Sequence, residues 1–176
     1  VSIVREKEVG TMEVLLVSPI RPSKIIFSKM IPYFVISCVV LIIILLLSYY
    51  LLHVPMSGGV WGIFSLSLLY VLLSLSLGLM VSIVAKTQVM ALLISAMVMM
   101  VPMLLLSGML FPIENAPMVF QIFSNIVPAR WYVEAIRKMM IQGSPFVAVW
   151  KEFTILLGMT VVFLGVSLIK FNDKLE

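Results

Sequence analysis

Side chains able to do chemistry are few in this chain, and their spacing forms no catalytic set. The sequence lacks the Gly-x-x-x-x-Gly-Lys-Ser/Thr loop that cradles phosphates, the His-Glu-x-x-His metal helix and a nucleophile elbow. Membrane enzymes that act on lipids usually place paired carboxylates, His or Cys at one membrane face. Here Glu114, Glu134 and Glu152 are scattered. The sequence therefore predicts no enzyme, no ATP hydrolysis and no cofactor bound by this chain.

Histidine, cysteine and methionine could supply proton-relay or metal chemistry, but their context favours structural roles. His53 has no second ionisable residue within a span to pair with, so a polar residue at headgroup level is favoured over a relay. Cys38 lies in the first apolar run, where it reads as a small hydrophobe. A methionine cluster in the third run could form a soft-metal path or a flexible drug-binding wall. Without a neighbouring Cys or His, lipid-facing or packing side chains are favoured at Met97, Met99, Met100 and Met103.

Four apolar runs dominate the chain and assign its class. About 20 apolar residues span a bilayer as a helix, and the runs Met30 to Leu52, Val60 to Ala85, Val89 to Leu110 and Phe153 to Ile169 meet or approach that length without a charge. The chain is 62% hydrophobic and 11% charged, whereas soluble domains carry about 25% charged residues. An integral membrane protein is predicted. Its basic residues lie in short loops, which excludes nucleic acid as a partner.

Cationic residues divide unequally between the two membrane faces that four crossings create. The richer face holds eight: Arg5, Lys7, Arg21, Lys24, Lys29, Lys86, Lys170 and Lys174. The other holds four: Arg130, Arg137, Lys138 and Lys151. By the positive-inside rule the richer face is cytoplasmic. Both ends of the chain and the Lys86 turn are therefore predicted to face the cytoplasm.

A short apolar helix is predicted before the first span. Gly10 breaks a charged run, Thr11 can cap a helix, and residues 12–17 supply about two turns before Ser18-Pro19 ends it. Five of these six residues are apolar, so the helix needs lipid headgroups or another protein against it. Ser23 is predicted to cap the next helix, which starts at Lys24 and enters the membrane.

Small residues in the second and last spans predict close helix packing. Intervals of seven, four, four and three place five of them on one face of the second span: Ser67, Ser74, Gly78, Ser82 and Ala85. Small side chains let membrane helices approach closely. Gly158 and Gly165 indicate the same for the last span.

Two short helices are predicted on the outer face, after two prolines and a capping Asn115. Met118 to Val127 is apolar, Pro128 breaks it, and Ala129 to Gln142 is amphipathic and ends at Gly143. Within the second helix, Glu134 can pair with Arg137 or Lys138. Both helices are too short to span and too apolar to stand in water. They should form a re-entrant or interfacial element.

Three stretches together resemble a known transporter family across essentially the whole chain. They are Arg5-Glu6-Lys7-Glu8-Val9-Gly10-Thr11-Met12-Glu13-Val14-Leu15-Leu16-Val17-Ser18-Pro19, then Leu106-Ser107-Gly108-Met109-Leu110-Phe111-Pro112-Ile113-Glu114-Asn115, and finally Pro128-Ala129-Arg130-Trp131-Tyr132. This order is similar to that of the permease subunit of bacterial ABC-2 type exporters. The resemblance implies six membrane helices per subunit, often with an external domain between the first two.

On that resemblance the chain is expected to be an N-terminally truncated, all-α membrane domain holding the last four of six membrane helices. Val1 stands where an initiator Met is missing, and residues 1–4 read like the end of an apolar segment. The expected division is a cytoplasmic coupling segment at 1–29, three membrane spans at 30–110, an outer re-entrant or interfacial helical pair at 111–152, the last span at 153–170 and a cytoplasmic tail at 171–176.

The resemblance also implies partners and site residues. A dimer with itself or a related permease would work with cytoplasmic ATP-binding cassette ATPase subunits, which hold ATP and Mg, in the lipids of the bacterial inner membrane. ATPase coupling is expected at Gly10, Thr11, Met12, Glu13, Leu15, Leu16 and Pro19. An outer gate near the exit is expected at Gly108, Phe111, Pro112, Glu114, Pro128 and Arg130.

The implied function is ATP-driven export of a drug, lipid or polymer. The alternatives are a secondary transporter, or a structural or lipid-processing membrane subunit without an ATPase. Secondary transporters normally show inverted repeats, or ionisable residues and broken helices near the midplane. The predicted spans contain neither.

Overall fold

The computed structural model describes residues 4, 22–55, 58–108 and 117–172, and within these the regular structure is helical throughout. Besides the α-helices there is one π-helical segment, Ser95–Met100, and one 3-10 turn, Phe146–Val149. The α-helices are α1 (Pro22–Tyr50), α2 (Val60–Val84), α3 (Gln88–Ile94), α4 (Val101–Leu106), α5 (Met118–Ser124), α6 (Pro128–Met140) and α7 (Trp150–Asn172).

Three helical stretches are long and apolar enough to cross a membrane: Ile26–Tyr50, Val60–Val84 and Phe146–Lys170, of 25 residues each. At 1.5 Å per residue such a helix is about 38 Å long, more than the roughly 30 Å of a hydrocarbon core. The predicted class, an all-α membrane protein, is confirmed. Helix α1 begins at Pro22, so the prediction that Ser23 caps it from outside is wrong. Proline is favoured in a first turn, where its missing amide hydrogen has no helical partner.

The region of the predicted third span forms an interrupted helix comprising α3, the π-helical segment and α4. Thr87 caps its start, because the Thr87 hydroxyl accepts a hydrogen bond from the Met90 amide at 3.2 Å. Backbone angles stay right-handed helical at Ser95 and at Val101. Pro102 has no amide hydrogen to donate into the preceding turn, which weakens α-helical bonding where the wider turn occurs. Residues 88–106 thus form one run of 19 residues, about 28 Å long.

The main core lies where α2, α6 and α7 meet. Helices α2 and α7 pack extensively along each other, and α6 covers the junction between them. The fully or nearly fully buried side chains here are Ile63, Leu66, Leu69 and Leu73 of α2, Ala135, Met139 and Met140 of α6, and Val149 and Leu156 at the start of the last helical stretch. This core places α6 against two of the three long helices.

A second cluster, which we call the inner cluster, joins the opposite ends of the long helices. It contains Ile26 and Met30 of α1 with Leu79 and Ile83 of α2, and Leu164 and Leu168 of α7 pack against it. Beyond this contact α1 exposes most of its large apolar side chains, such as Ile36 at 61% and Ile44 at 56%. A separate small cluster brings Val4 against Ala85 and Ala91.

The predicted glycine packing contacts are not made with the described part of this chain. A Cβ atom built on Gly78, Gly158 or Gly165 would meet no heavy atom within 4 Å. The buried face of α2 carries Ser67, Ser76 and Ser82 between its large apolar residues, and Gly78 lies outside that face. Of the predicted stripe of small residues, Ser67, Ser82 and Ala85 are therefore buried, whereas Gly78 is exposed.

Candidate functional site

The two short helices predicted on the outer face exist, and α6 is held at several points by the longer helices. Tyr132 stacks on Tyr70 of α2, with ring centroids 4.2 Å apart and planes inclined by 9°. The Tyr132 hydroxyl also shares a 3.0 Å hydrogen bond with the Ser67 hydroxyl. On the far side the Tyr70 hydroxyl lies 3.9 Å from the Met103 sulfur in α4. This aromatic node connects α6, α2 and the interrupted helix.

An ion-pair triad connects α6 to the first turn of α7. Lys138 Nζ lies 2.8 Å from Glu134 Oε1 and 2.6 Å from Glu152 Oε1. The first pair confirms the predicted pairing of Glu134 with Lys138. Glu152 is 2% exposed, and its second oxygen has no hydrogen-bond partner among the described residues. The buried carboxylate therefore depends on Lys138 for its compensation, because an unpaired buried charge is costly.

The same contacts hold Lys138 in its charged form. Its hydrogen bond to Glu134, and then its hydrogen bond to Glu152, raise the pKa of Lys138 above the ordinary lysine value. A raised pKa in the folded state means that the stabilisation is fully present below the unfolded-state pKa and is lost only as the pH rises through the folded-state value. Lys138 stays an ammonium at every pH near neutrality.

The corner between α5 and α6 is built around Arg130. One guanidinium nitrogen, Nη1, donates to the Gln121 carbonyl at 3.2 Å, to Ser124 Oγ at 2.5 Å and to Asn125 Oδ1 at 2.7 Å. Trp131 Nε1 donates to the Asn125 carbonyl at 3.0 Å. Pro128, which is buried, occupies the first position of α6, where its missing amide hydrogen costs nothing. These bonds satisfy the free carbonyls at the end of α5 and fix the angle between the two helices.

Gly108 follows the interrupted helix and is bonded directly to a side chain of α6. Its φ of 76° lies in the left-handed region that glycine adopts without strain. Its carbonyl accepts a hydrogen bond from Arg137 Nη2 at 3.2 Å. Sequence analysis placed Gly108 in the outer site but did not predict this contact with Arg137, because the two residues are 29 positions apart.

Two glycines that sequence analysis did not single out make the closest approaches. A Cβ on Gly58 would lie 2.6 Å from the Ser144 carbonyl oxygen and 2.7 Å from the Met139 carbonyl oxygen. The Gly58 amide donates to that same Met139 carbonyl at 3.0 Å. One turn into α2, a Cβ on Gly62 would meet the Met139 methyl group at 2.5 Å and Phe146 at 3.1 Å. The turn between α1 and α2 thus docks on the end of α6.

The remaining predicted site residues lie outside the described part of the chain. All of the coupling set does so: Gly10, Thr11, Met12, Glu13, Leu15, Leu16 and Pro19. Of the outer set, Phe111, Pro112 and Glu114 also do so. The structure brings Pro128 and Arg130 together in one corner and connects Gly108 to the same helix through Arg137.

The described residues contain no group of three or more His, Cys, Asp or Glu side chains placed to hold a metal ion. An open cavity of about 580 Å³ lies between α1 and α2, at the ends joined by their connecting turn, with only hydrocarbon and tyrosine side chains around it. Its lining consists of Ile42, Leu45, Leu46, Tyr49, Tyr50, Val60 and Phe64. Such a lining fits apolar molecules or acyl chains.

Comparison with known proteins gives relatives over nearly the whole chain. It is 29% identical to the probable multidrug ABC transporter permease YbhS of Escherichia coli over 99% of this chain and 46% of that protein. It is also 29% identical to the inner membrane transport permease YhhJ of E. coli, with the same coverage of both chains. ABC transporter G family member 20 of Dictyostelium discoideum is 29% identical over 99% of this chain and 24% of that protein. No solved structure matches.

The chain spans about half the length of the two bacterial permeases. The family model described as ABC-2 family transporter protein matches residues 1–169, which include all of the outer contacts described above. The expected family is thereby confirmed. With its apolar membrane helices and a match over nearly its entire length, the chain belongs to the ABC-2 family of transporter proteins.

Proposed function

We propose that this chain forms part of the membrane-spanning permease subunit of an ATP-binding cassette exporter. It moves a substrate of the drug, lipid or polymer class outward, using ATP hydrolysed with Mg on a separate partner subunit. The observation that carries the proposal is the family match over residues 1–169. Two relatives are named as permeases of ABC or inner membrane transport systems. The sequence has no phosphate-binding loop of its own, which fits a partner that supplies the ATPase.

The proposed topology has four crossings in the bacterial inner membrane, with both ends of this chain on the cytoplasmic side. Three crossings are the long apolar helices, and the fourth is the interrupted helix over 88–106. Its length of about 28 Å is close to the thickness of the hydrocarbon core. The eight-to-four division of cationic residues supports the orientation.

The coupling segment at residues 10–19 is proposed to dock on the ATPase and to move α1. Helix α1 begins three residues later, at Pro22. Its first turns enter the inner cluster through Ile26 and Met30, which pack on Leu79 and Ile83 of α2. Because that cluster is close-packed, a displacement of α1 shifts α2 rather than compressing it. The inner cluster would carry motion from the ATPase into the bundle.

The outer element is proposed to form the gate at the exit of the path. Helix α6 is joined to α2 through the aromatic node, to α7 through Glu152 and to the interrupted helix through Gly108. A movement of α2 would therefore reposition α6 relative to its other two supports. Motion passed from one rigid helix to the next in this way could open the path alternately to the two faces of the membrane.

The proposal is tested by expressing the permease from its natural reading frame together with its candidate ATPase. Copurification and ATP-dependent export into inverted membrane vesicles are expected. Leu16→Asp should abolish coupled export, because burying a carboxylate without a partner in the docking groove is unfavourable. Leu16→Met, which keeps an apolar side chain of similar volume, is the matched control.

Unchanged export by Leu16→Asp would contradict the coupling assignment. Transport that persists without ATP and follows an ion gradient would instead support the secondary-transporter alternative. An absence of both transport and ATPase copurification would favour a structural or lipid-processing subunit.

A further inference from the structure

Two cations are held against one indole ring at the start of α6. Arg130 Cζ lies 5.5 Å from the centroid of the Trp131 ring, and Lys151 Nζ lies 5.8 Å from the same centroid. Both distances are within the range of a cation–π interaction. The Trp131 ring is fixed in place by the bond from its Nε1 to the Asn125 carbonyl. We call Arg130, Trp131 and Lys151 the cationic cradle.

The cradle has no compensating carboxylate in the described part of the chain. Among the residues that the structure describes, Arg130 donates to neutral acceptors, and neither Arg130 nor Lys151 forms an ion pair. Glu134, one helical turn after Arg130, pairs with Lys138 instead. Glu152 follows Lys151 directly but is buried toward Lys138, whereas Lys151 is exposed. Two like charges on one ring therefore leave a local positive field that an anion would neutralise.

An exposed apolar helix lies beside the cradle. Arg130 is bonded to the last residues of α5, whose large side chains are exposed: Met118, Val119, Phe120, Ile122 and Phe123, followed by Ile126. Trp150, next to Lys151, is also 59% exposed. Apolar side chains beside cations and tryptophans are typical of the boundary between headgroups and acyl chains.

The geometry points to a lipid site: the cationic cradle binds the phosphate of an anionic phospholipid, whose acyl chains lie along α5. The negative charge of the phosphodiester would compensate the positive charges of Arg130 and Lys151. A planar guanidinium can also donate more than one hydrogen bond to phosphate oxygens. Charge complementarity and the adjoining apolar helix favour a lipid over a free anion. The inference rests on the proposed function only for the leaflet that the site faces, which is the outer one.

Native mass spectrometry of the permease, expressed from its natural reading frame and purified in neutral detergent, tests the site. Phosphatidylglycerol and phosphatidylcholine are titrated in parallel, and phosphatidylglycerol should bind more tightly. Lys151→Gln should weaken phosphatidylglycerol binding about fivefold, the effect of one basic residue near an anionic headgroup, and leave phosphatidylcholine binding nearly unchanged. Lys151 is exposed and makes no hydrogen bond with the described residues, so its substitution is expected to keep the fold.

Arg130→Gln with Lys151→Gln should remove the preference for phosphatidylglycerol. Lys86→Gln, which removes an exposed cation from the turn before α3, is the matched control and should leave the preference intact. An unchanged preference in the double variant, or an equal loss in Lys86→Gln, would overturn the assignment. Displacement of phosphatidylglycerol by an equal concentration of inorganic phosphate would assign the cradle to a free anion and would also overturn it. Lipid binding in detergent needs neither ATP nor transport, so its failure is separate from failure of the export function.

Discussion

Lys138 joins Glu152 across 14 positions of sequence, with 2.6 Å between Nζ and Oε1. The lysine side chain is 31% exposed, while that of its partner is 3% exposed. This pair connects the amphipathic helix α6 to the first turn of the last membrane helix. A third group, Glu134, lies one turn before Lys138 on α6 and can keep the ammonium paired if α6 leaves α7. Lys138 then retains a partner, and Glu152 loses its own.

The first prediction separates the members of this triad. Lys138→Met should lower the free energy of unfolding by about 3 kcal/mol, because it leaves the Glu152 carboxylate buried and uncompensated. Adding Glu152→Gln to that variant should recover a large part of the loss, since no buried charge then remains. Glu134→Gln is the control and should cost about 0.5 kcal/mol or less, as expected for a partly exposed pair one helical turn apart.

Thermal unfolding in detergent of the parent, Lys138→Met, Glu152→Gln and their double variant gives the double-mutant cycle, and Glu134→Gln is measured beside them. If Lys138→Met and Glu134→Gln lowered the free energy of unfolding equally, the buried Glu152 would not be the partner that makes Lys138 important for stability.

The second prediction concerns the close approach of Gly58 to the end of α6. Gly58→Ala should lower stability by about 1 to 3 kcal/mol, because its Cβ would contact two backbone carbonyls that cannot rotate away. Gly78→Ala is the matched control, since its Cβ meets nothing within 4 Å. Alanine is the better helix former, so this control should be neutral or stabilising. Expression level and melting temperature check both variants. If Gly58→Ala left both quantities unchanged, the close contact of the turn between α1 and α2 with the end of α6 would be contradicted.

The third prediction concerns the aromatic node. Tyr132→Phe removes the hydrogen bond to Ser67 but keeps the ring on Tyr70, so it should cost about 1 kcal/mol. Tyr132→Ala also removes the stacked ring and should cost about 3 kcal/mol or more. Tyr49→Phe, at an exposed position, is the control and should change little. If both Tyr132 variants had the same stability, the stacking contact would contribute nothing.

The fourth prediction is topological and uses the single cysteine of the sequence. In a Cys38→Ser background, Lys86→Cys should react with a membrane-impermeant thiol reagent only in inverted vesicles. Asn115→Cys should react in intact spheroplasts. These outcomes follow from the division of eight cationic residues against four. The reverse labelling pattern would overturn the orientation and, with it, the proposed site of ATPase coupling.

The long helices could be predicted from sequence because their signal is local. A run of about 25 apolar residues without charge has few alternatives to a membrane helix, and the predicted second span, Val60 to Ala85, differs from helix α2 by one residue. The interruption at Ser95–Met100 was not predicted. A π turn differs from an α turn by one residue, and apolar composition is the same in both.

The contacts of the outer site were less accessible to sequence analysis, because they join residues far apart in the chain. Glu134 and Lys138 are one turn apart, so their pairing was predicted. The contacts of Lys138 with Glu152, and of Arg137 with Gly108, depend on how separate helices are placed. Glycine patterns failed for the same reason. Gly58 and Gly62 lie at close approaches, while Gly78 does not, and spacing along one helix cannot show which face meets another.

Helix α1 has consequences for how this chain can change over evolutionary time. Where the structure describes the burial of its side chains, Ile26, Met30 and Leu41 are the buried apolar ones. Exchange among Leu, Ile, Val and Met elsewhere along α1 leaves its intrachain contacts almost unchanged. Sequence divergence there is therefore limited by the length and the hydrophobicity of the span. By contrast, each residue at the junction of α2, α6 and α7 has several neighbours that must change with it. Homologues should therefore diverge fastest in α1 and slowest around Tyr132, Lys138 and Glu152.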